Sequence, residues 1–318
     1  MRILVTGGSG FAGSFLVDDL VAAGHEVAVL ARAGSASRVR DGVEVVVGDL
    51  LEREGLIAAV AAFEPALIYH LAGWASVGGS WREPALPLAV NAGGTANLLD
   101  AAVAGGKPRV VVVTSAEIYG VLGYEDLPIT EERTPAPNHP YGISKWAAAQ
   151  LVPLYAQRDN LPVIEARPFN HIGPRQSLGF VVADFASQLA AIKLGQKEPQ
   201  MLVGNLDAQR DFTDVRDMVR AYQLLGEKGE IGERYLICSG APVAISNILN
   251  TLIDLSGINV EVAYDPQRMR PSDTPCVYGS YAKLRRATGW EPEIHLRQSL
   301  SDALDYWVER LGDGGGEG

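Results

Sequence analysis

Short apolar runs alternate with longer segments of helical spacing along the first half of the chain. The runs "RILVTG", "EVAVLA", "VEVVVG", "ALIYHLA", "RVVVVTS" and "LPVIEARP" place valine, isoleucine and leucine at consecutive positions, the pattern of strands buried on both faces. Between them, residues 11–24, 52–63, 83–105 and 141–158 carry apolar residues at helix spacing, and Gly24 and Gly105 stand where helices stop. This alternation predicts a parallel sheet covered on both sides, a doubly wound α/β domain. Beyond about residue 170 it weakens. Helical stretches are expected near 180–195, 214–227, 245–256 and 297–311, with shorter strands at "QMLVG", "RYLICS" and "VEVAY". The expected division is a sheet domain over residues 1–169, rejoined by the chain near 208–240 around "RDFTDV", and a smaller mixed α/β domain from 170–207 and 241–311. "GDGGGEG", 312–318, reads as a flexible tail.

Composition narrows the function. The 318 residues are 47% hydrophobic and 20% charged, enough for sizeable cores, and the net charge of -11 disfavours any general affinity for nucleic acid or an anionic membrane. Met1 runs straight into "RILVTGG" without the pattern of a secretory leader, and no apolar run approaches membrane-spanning length, so a cytoplasmic protein is expected. Two cysteines, Cys238 and Cys276, are too few for a thiolate cage and are expected to stay reduced. No spacing of His, Asp and Glu suggests a metal site, and His70, ending an apolar run, reads as a hydrogen-bonded interior residue.

"VTGGSGFAG" sets Gly7, Gly10 and Gly13 three residues apart, after the first strand and at the start of a helix opening on Phe11. Glycines there allow a tight turn, a close approach of backbone to pyrophosphate and close helix-to-strand packing. A dinucleotide is therefore expected. The second strand ends in "VLARAGS", with no acid to bond ribose hydroxyls and with Arg32 able to pair with a phosphate, so NADP(H) is favoured and NAD(H) is allowed. Asp49 and Leu50, in "GDL", are placed to hold the adenine edge, although a turn aspartate reads the same way.

"PYGISK" spaces Tyr141 and Lys145 one helical turn apart, with Pro140 suited to a helix start. The helix dipole and the ammonium are expected to lower the phenol pKa and fit Tyr141 to hand a proton to a carbonyl oxygen. In "TSAEIYG", Ser115 and Glu117 follow the run Val110–Val113; if that run continues as a strand, alternation sends both side chains to one side. Ser115 would steady the reacting oxygen.

Taken in order, "GGSGFAG", "HLAG", "NAGGT", "TSAEIYG" and "YGISK" resemble the extended short-chain dehydrogenase/reductase family over essentially the whole chain short of its tail. The resemblance implies a Rossmann-like domain and a catalytic Ser115, Tyr141 and Lys145, with Lys145 also holding the nicotinamide ribose. It also implies cofactor contacts from Leu71, Ala72 and Gly73 and from His171 beside the nicotinamide, with the smaller domain binding substrate. The stretches from "RPFNHIGPRQ", "VGNLDAQRDFTDVRD" and "YDPQRMRPSD" are similar to the branch handling GDP-linked 6-deoxyhexoses. That similarity implies substrate contacts from Ser76, Asn170, Lys193, Arg210 and Arg270. Arg175 departs from the branch's usual "GPGQ" and reads either as a phosphate contact or as surface. The implied activity is NADPH-dependent reduction of the C4 ketone of GDP-4-keto-6-deoxy-D-mannose to GDP-D-rhamnose. Glu117 keeps a second reading open, because in the related 4,6-dehydratases a carboxylate at this position takes the C5 proton; a nucleotide-sugar epimerase or another reductase is the remaining enzyme class. A regulator that only senses the cofactor would not need the Ser, Tyr and Lys together. Finally, helix 141–158 is apolar around much of its circumference through Trp146, Ala147, Ala148, Leu151, Val152, Leu154 and Tyr155, more than one sheet face can cover. A homodimer through helices 83–105 and 141–158 is expected.

Overall fold

The computed structural model describes residues 1–268 and 274–312. Its strands in the first half are β1 (Arg2–Thr6), β2 (Glu26–Ala31), β3 (Glu44–Val47), β4 (Leu67–His70), β5 (Arg109–Val113) and β6 (Val163–Pro168). Three strands of the second half, β7 (Asn170–Ile172), β8 (Gln200–Val203) and β9 (Gln209–Asp214), precede β10 (Arg234–Ile237). The main sheet has seven strands in the order β10-β6-β5-β4-β1-β2-β3, every neighbouring pair parallel. Helices α1 (Phe11–Ala22), α2 (Arg53–Phe63), α3 (Val77–Arg82), α4 (Ala85–Pro87), α5 (Gly94–Ala104) and α6 (Pro140–Asp159) connect the first six strands, with a π-helical turn, Leu88–Gly93, joining α4 to α5. Consecutive valines in β5 are explained by the two layers. Val111 packs with α1 and with α8 (Val215–Lys228) on one face, while Val110 and Val112 pack with α2, α5 and α6 on the other.

The second half has a core of its own. α7 (Val181–Lys193), α9 (Ile245–Ser256) and α11 (Leu296–Gly312) enclose Phe185, Leu189, Met201, Ile248, Leu252 and Trp307. Strand β9 is the centre of a small sheet, flanked by β11 (Pro242–Ala244), by β13 (Cys276–Val277) and by β7, while β12 (Glu261–Tyr264) pairs with β8. The "RDFTDV" strand expected near the point of return therefore stays in the small sheet. The helix after it, α8, covers the main sheet through Val215, Met218, Val219, Tyr222 and Leu225, and β10, from "RYLICS", joins the edge at β6. A helix with that apolar stripe must lie on a sheet, and it draws the following strand with it. α10 (Ala282–Thr288) closes this layer with Leu284 and Trp290.

One charged pair is sealed inside the sheet. Arg167 on β6 is 1% exposed and donates from Nε and Nη2 to the two oxygens of Glu165, at 2.8 Å each, and from Nη1 to the Tyr119 hydroxyl at 2.6 Å. Thr114 donates its hydroxyl to Glu165 Oε1 at 2.6 Å. Removing one partner leaves the other charge buried and uncompensated. Arg167→Met is expected to lower the unfolding free energy by about 3–5 kcal/mol, read as a shift in the urea midpoint, and Glu165→Gln added to it should recover part of the loss.

Candidate active site

The glycine turn is built by backbone contact. Gly7 has φ +75°, and a Cβ there would lie 2.6 Å from the Ala72 nitrogen; one on Gly13 would lie 2.0 Å from the Gly7 carbonyl oxygen. Gly10 donates to the Gly7 oxygen at 2.9 Å and opens α1 with no side-chain cap, which leaves first-turn N–H groups for an anion. Beside the turn lies a cavity of about 1040 Å³, with Gly8–Phe11 on one wall and Arg38, Arg40 and Arg175 on another. An uncapped helix start and a turn without room for side chains fit a dinucleotide, and the three arginines share the wall with Asp18 and Asp19. Phe11 stacks on His171 at 5.6 Å and 12°, joining this turn to β7; burial lowers the His171 pKa and favours the neutral ring. Leu71 and Ala72 are half-buried at the end of β4.

Other expected cofactor residues fall as follows. Arg32 is exposed at the end of β2, whereas the cations on the cavity wall are Arg38, Arg40 and Arg175. Asp49 accepts from the Leu51 N–H at 2.9 Å, the behaviour of a turn aspartate, and Leu50 is buried beneath Gly94. Arg175 is the departure with a structural signature. Its φ is +69°, it donates to Asp18 at 2.7 Å, and its guanidinium lies 4.4 Å over the Phe15 ring; Arg40 donates to the other Asp18 oxygen at 3.0 Å.

At the reacting end, Tyr141 and Lys145 are each 8% exposed on the first turns of α6. Lys145 Nζ donates to the Val113 carbonyl at 3.0 Å, and burial lowers its pKa to about 8. The Tyr141 pKa is raised to about 12, chiefly by burial, with the Ser115 side chain opposing and the Glu117 charge adding to the rise. The expectation that the ammonium and helix dipole lower it is corrected: loss of hydration dominates, and Lys145 turns its hydrogen bond to the strand. At neutral pH the phenol holds its proton and is a donor.

Strand alternation also fails as the explanation for Ser115 and Glu117. β5 stops at Val113, and a 3-10 turn, Ala116–Tyr119, folds the Glu117 N–H back onto the Ser115 hydroxyl at 3.2 Å. Glu117 still reaches the site. Its Oε2 lies 3.1 Å from His139 Nε2, and its charge acts on both Tyr141 and Arg210. His139, the N-cap of α6, accepts the Gly142 N–H at Nδ1, 3.0 Å, and its ring lies parallel to that of Tyr141 at 6.1 Å. Sequence reasoning missed His139; a polar residue directly before the helix-opening Pro140 was the available signal.

A second network runs beneath Lys145. The Ala72 N–H donates to Thr6 Oγ1, which bonds His70 Nδ1 at 2.7 Å; His70 Nε2 bonds Thr95 Oγ1 at 3.0 Å, and that hydroxyl donates to the Asn91 carbonyl. The order of donors puts the His70 proton on Nε2. Burial first, and then the Lys145 charge, lowers the His70 pKa to about 3, so the ring stays neutral. The Asn91 side chain accepts from the Trp74 N–H and donates to Ser144, and Gly73 leaves room for it: a Cβ there would lie 2.6 Å from Asn91 Oδ1 and 3.4 Å from Lys145 Nζ.

Of the expected substrate residues, Asn170 donates to the Asp211 carbonyl and Arg210 is half-buried near Glu117. Ser76 is exposed and caps α3 through the Gly79 N–H. Lys193 is exposed on the last turn of α7, and among the described residues no hydrogen bond or ion pair ties it to the cluster. Arg270 lies outside the described residues, as does most of the expected tail. Cys238 and Cys276 are buried thiols. Among the described residues no three His, Cys, Asp or Glu gather as a metal site, and no helix is long and apolar enough to cross a membrane.

Comparison with known proteins follows this geometry. The family described as GDP-mannose 4,6 dehydratase matches residues 4–303. The GDP-6-deoxy-D-mannose reductase of Pseudomonas aeruginosa is 39% identical over 311 residues, 98% of each chain. The solved structure of RMD from Pseudomonas aeruginosa complexed with NADPH superposes with a TM-score of 0.87 at 38% identity, covering 97% of this chain and 99% of that one. A UDP-glucose 4-epimerase from Thermotoga maritima, solved with UDP-glucose, gives 0.90 at 29% identity over 98% and 100%. A family match across nearly the entire chain, with a relative this similar from end to end, means that the protein belongs to the GDP-mannose 4,6 dehydratase family of extended short-chain dehydrogenases/reductases.

Proposed function

We propose that the protein reduces the C4 ketone of GDP-4-keto-6-deoxy-D-mannose to GDP-D-rhamnose with NADPH. The observation that carries this reading is the buried pair Tyr141 and Lys145 on the first turns of α6, with Lys145 Nζ bonded to the end of β5 and Ser115 acting on the phenol. Reduced nicotinamide, when bound, supplies a hydride. The protein's part is to bind, orient and protonate. Tyr141 donates its proton to the ketone oxygen as charge develops there, Ser115 bonds the same oxygen, and Lys145 offers its ammonium to the nicotinamide ribose and to the emerging phenolate. Gly7, Gly10, Phe11 and Gly13, with the Leu71–Gly73 backbone, would hold the pyrophosphate side of the dinucleotide, and Arg38 and Arg40, with Arg32 exposed at the end of β2, would suit a 2′-phosphate. On the substrate side, the smaller domain, with β7 and β9, would bind the sugar nucleotide. Arg210 and Asn170 on those strands, with Lys193 and Arg270 and with Ser76 from the sheet domain, would meet the sugar and its diphosphate. The relative 39% identical along its whole length bears the name of this reductase class and supports the reading.

Glu117 favours a second reading, GDP-mannose 4,6-dehydratase, because its carboxylate stands close enough to act on Tyr141. The two separate in one experiment. Oxidation of NADPH with the 4-keto sugar, and no keto sugar formed from GDP-mannose without reductant, supports reduction; the opposite pair of results overturns it. Tyr141→Phe is expected to lower kcat by about 10²–10⁴.

The reading includes a cytoplasmic homodimer. Trp81, Leu88, Ile143 and Leu154 are 63%, 40%, 44% and 46% exposed, and Ile143 and Leu154 stand three turns apart on one face of α6. Light scattering at micromolar concentration should give twice the chain mass, and an Ile143→Glu/Leu154→Glu protein should give the monomer.

Buried Lys145 has a measurable cost. Its folded pKa lies below the unfolded value, so between about 8 and 10.5 the unfolded chain binds more protons, and stability rises with pH across that window. Below it the penalty is present in full. Lys145→Met should therefore stabilise the cofactor-free protein at pH 7 by about 2–3 kcal/mol while abolishing turnover, and the difference in thermal midpoint should shrink towards pH 10.

A further inference from the structure

Glu117 and His139 take no part in protonating the ketone oxygen, yet they are joined at the reacting centre. His139 is 8% exposed, and its Nδ1 is occupied by the Gly142 N–H at 3.0 Å. A neutral ring so engaged carries its proton on Nε2, which faces Glu117 Oε2 at 3.1 Å. The carboxylate is thus tied to the cap of the helix that bears Tyr141, while its own backbone N–H is tied to Ser115 at 3.2 Å. It is 45% exposed on the side of the site, where its charge acts on Tyr141 and Arg210.

A carboxylate here is a hazard to a ketone reductase. The hydrogen on C5 of a 4-keto sugar is next to the carbonyl and is acidic. If Glu117 took it, the C5–H bond would break, its electron pair would enter an enolate whose oxygen faces Ser115 and Tyr141, and the proton would rest on Glu117. Return of a solvent-exchanged deuteron from the same group restores the ketone with deuterium at C5, and no oxidant or reductant is consumed. Such a detour competes with reduction and exchanges the C5 hydrogen with solvent.

We propose that His139 is a positioning residue that restrains Glu117: by donating Nε2–H to Oε2 it holds the carboxylate against the α6 cap, so that the keto sugar is reduced at C4 with its C5 hydrogen undisturbed. This rests on the reading that a 4-keto nucleotide sugar occupies the site. The geometry separates the two duties of the ring. An asparagine or serine at 139 still caps the Gly142 N–H through its side-chain oxygen but is too short to hold Glu117, so either substitution releases the carboxylate while keeping the helix start.

The test follows the C5 proton signal of GDP-4-keto-6-deoxy-D-mannose by NMR in D2O, with the full chain and oxidised NADP so that no reduction occurs; NADPH oxidation by the same preparations is recorded in parallel. His139→Asn and His139→Ser should each exchange C5 hydrogen at least about tenfold faster than the parent, the size expected when a carboxylate loses a charge-assisted hydrogen bond. Adding Glu117→Gln to either should remove the gain, which a loosened fold would not do. A parent that reduces the ketone while neither variant exchanges faster overturns this inference alone. Faster exchange that survives Glu117→Gln also overturns it, since the base then lies elsewhere. A parent that does not reduce the ketone overturns the underlying reading and this inference with it.

Discussion

Three pieces of backbone meet at the glycine turn with no side chain between them. A Cβ on Gly13 would lie 2.0 Å from the Gly7 oxygen, and one on Gly7 would lie 2.6 Å from the Ala72 nitrogen. Excluded volume therefore sets the distance from β1 to α1 and from both to the end of β4. Thr6 and His70, the last residues of those strands, continue the contact into hydrogen bonds that run through Thr95 to Asn91, and from the Asn91 side chain to Ser144 on α6. A cofactor cradle and a proton donor on separate helices are thereby held in one frame. Each polar atom along that path is spoken for, which is why a neutral histidine can be fully enclosed there without penalty.

Burial has opposite uses at neighbouring residues. It keeps Tyr141 protonated and drives Lys145 towards neutrality, so the protein without ligands stores unfavourable electrostatics at the site. The second half is pinned to this frame by Asp211, whose carboxylate accepts from the Ser239, Gly240 and Gly279 N–H groups at 2.7, 3.0 and 3.3 Å. That anchor fixes the strand carrying Arg210 and receiving Asn170.

The alternating strands, the glycine spacing and the placing of Tyr141 and Lys145 on the first turns of one helix were legible because each is a local pattern with a local cause. What escaped depends on long-range contacts. The return to the main sheet near 208–240 was expected at the "RDFTDV" strand, whereas the packing of α8 hands it to β10, which pairs with β6. "VVVVTSAEIYG" looks like continuous strand, yet the Ser115 hydroxyl captures the Glu117 N–H and turns the chain. His139 meets Glu117 across 22 residues, and nothing in either segment announces the other. The Tyr141 pKa was misjudged because charge spacing is visible in a sequence and the depth of burial is not.

Arg175 stands where the backbone, at φ +69°, suits glycine. Left-handed torsion costs an ordinary residue about 1–2 kcal/mol, and a half-exposed ion pair with a ring contact returns about 1–2 kcal/mol. Asp18 and Phe15 thus hold the side chain in place over a torsion it would otherwise avoid, and the Asp18 carboxylate offsets part of the positive charge that Arg40 and Arg175 bring to this wall of the cavity.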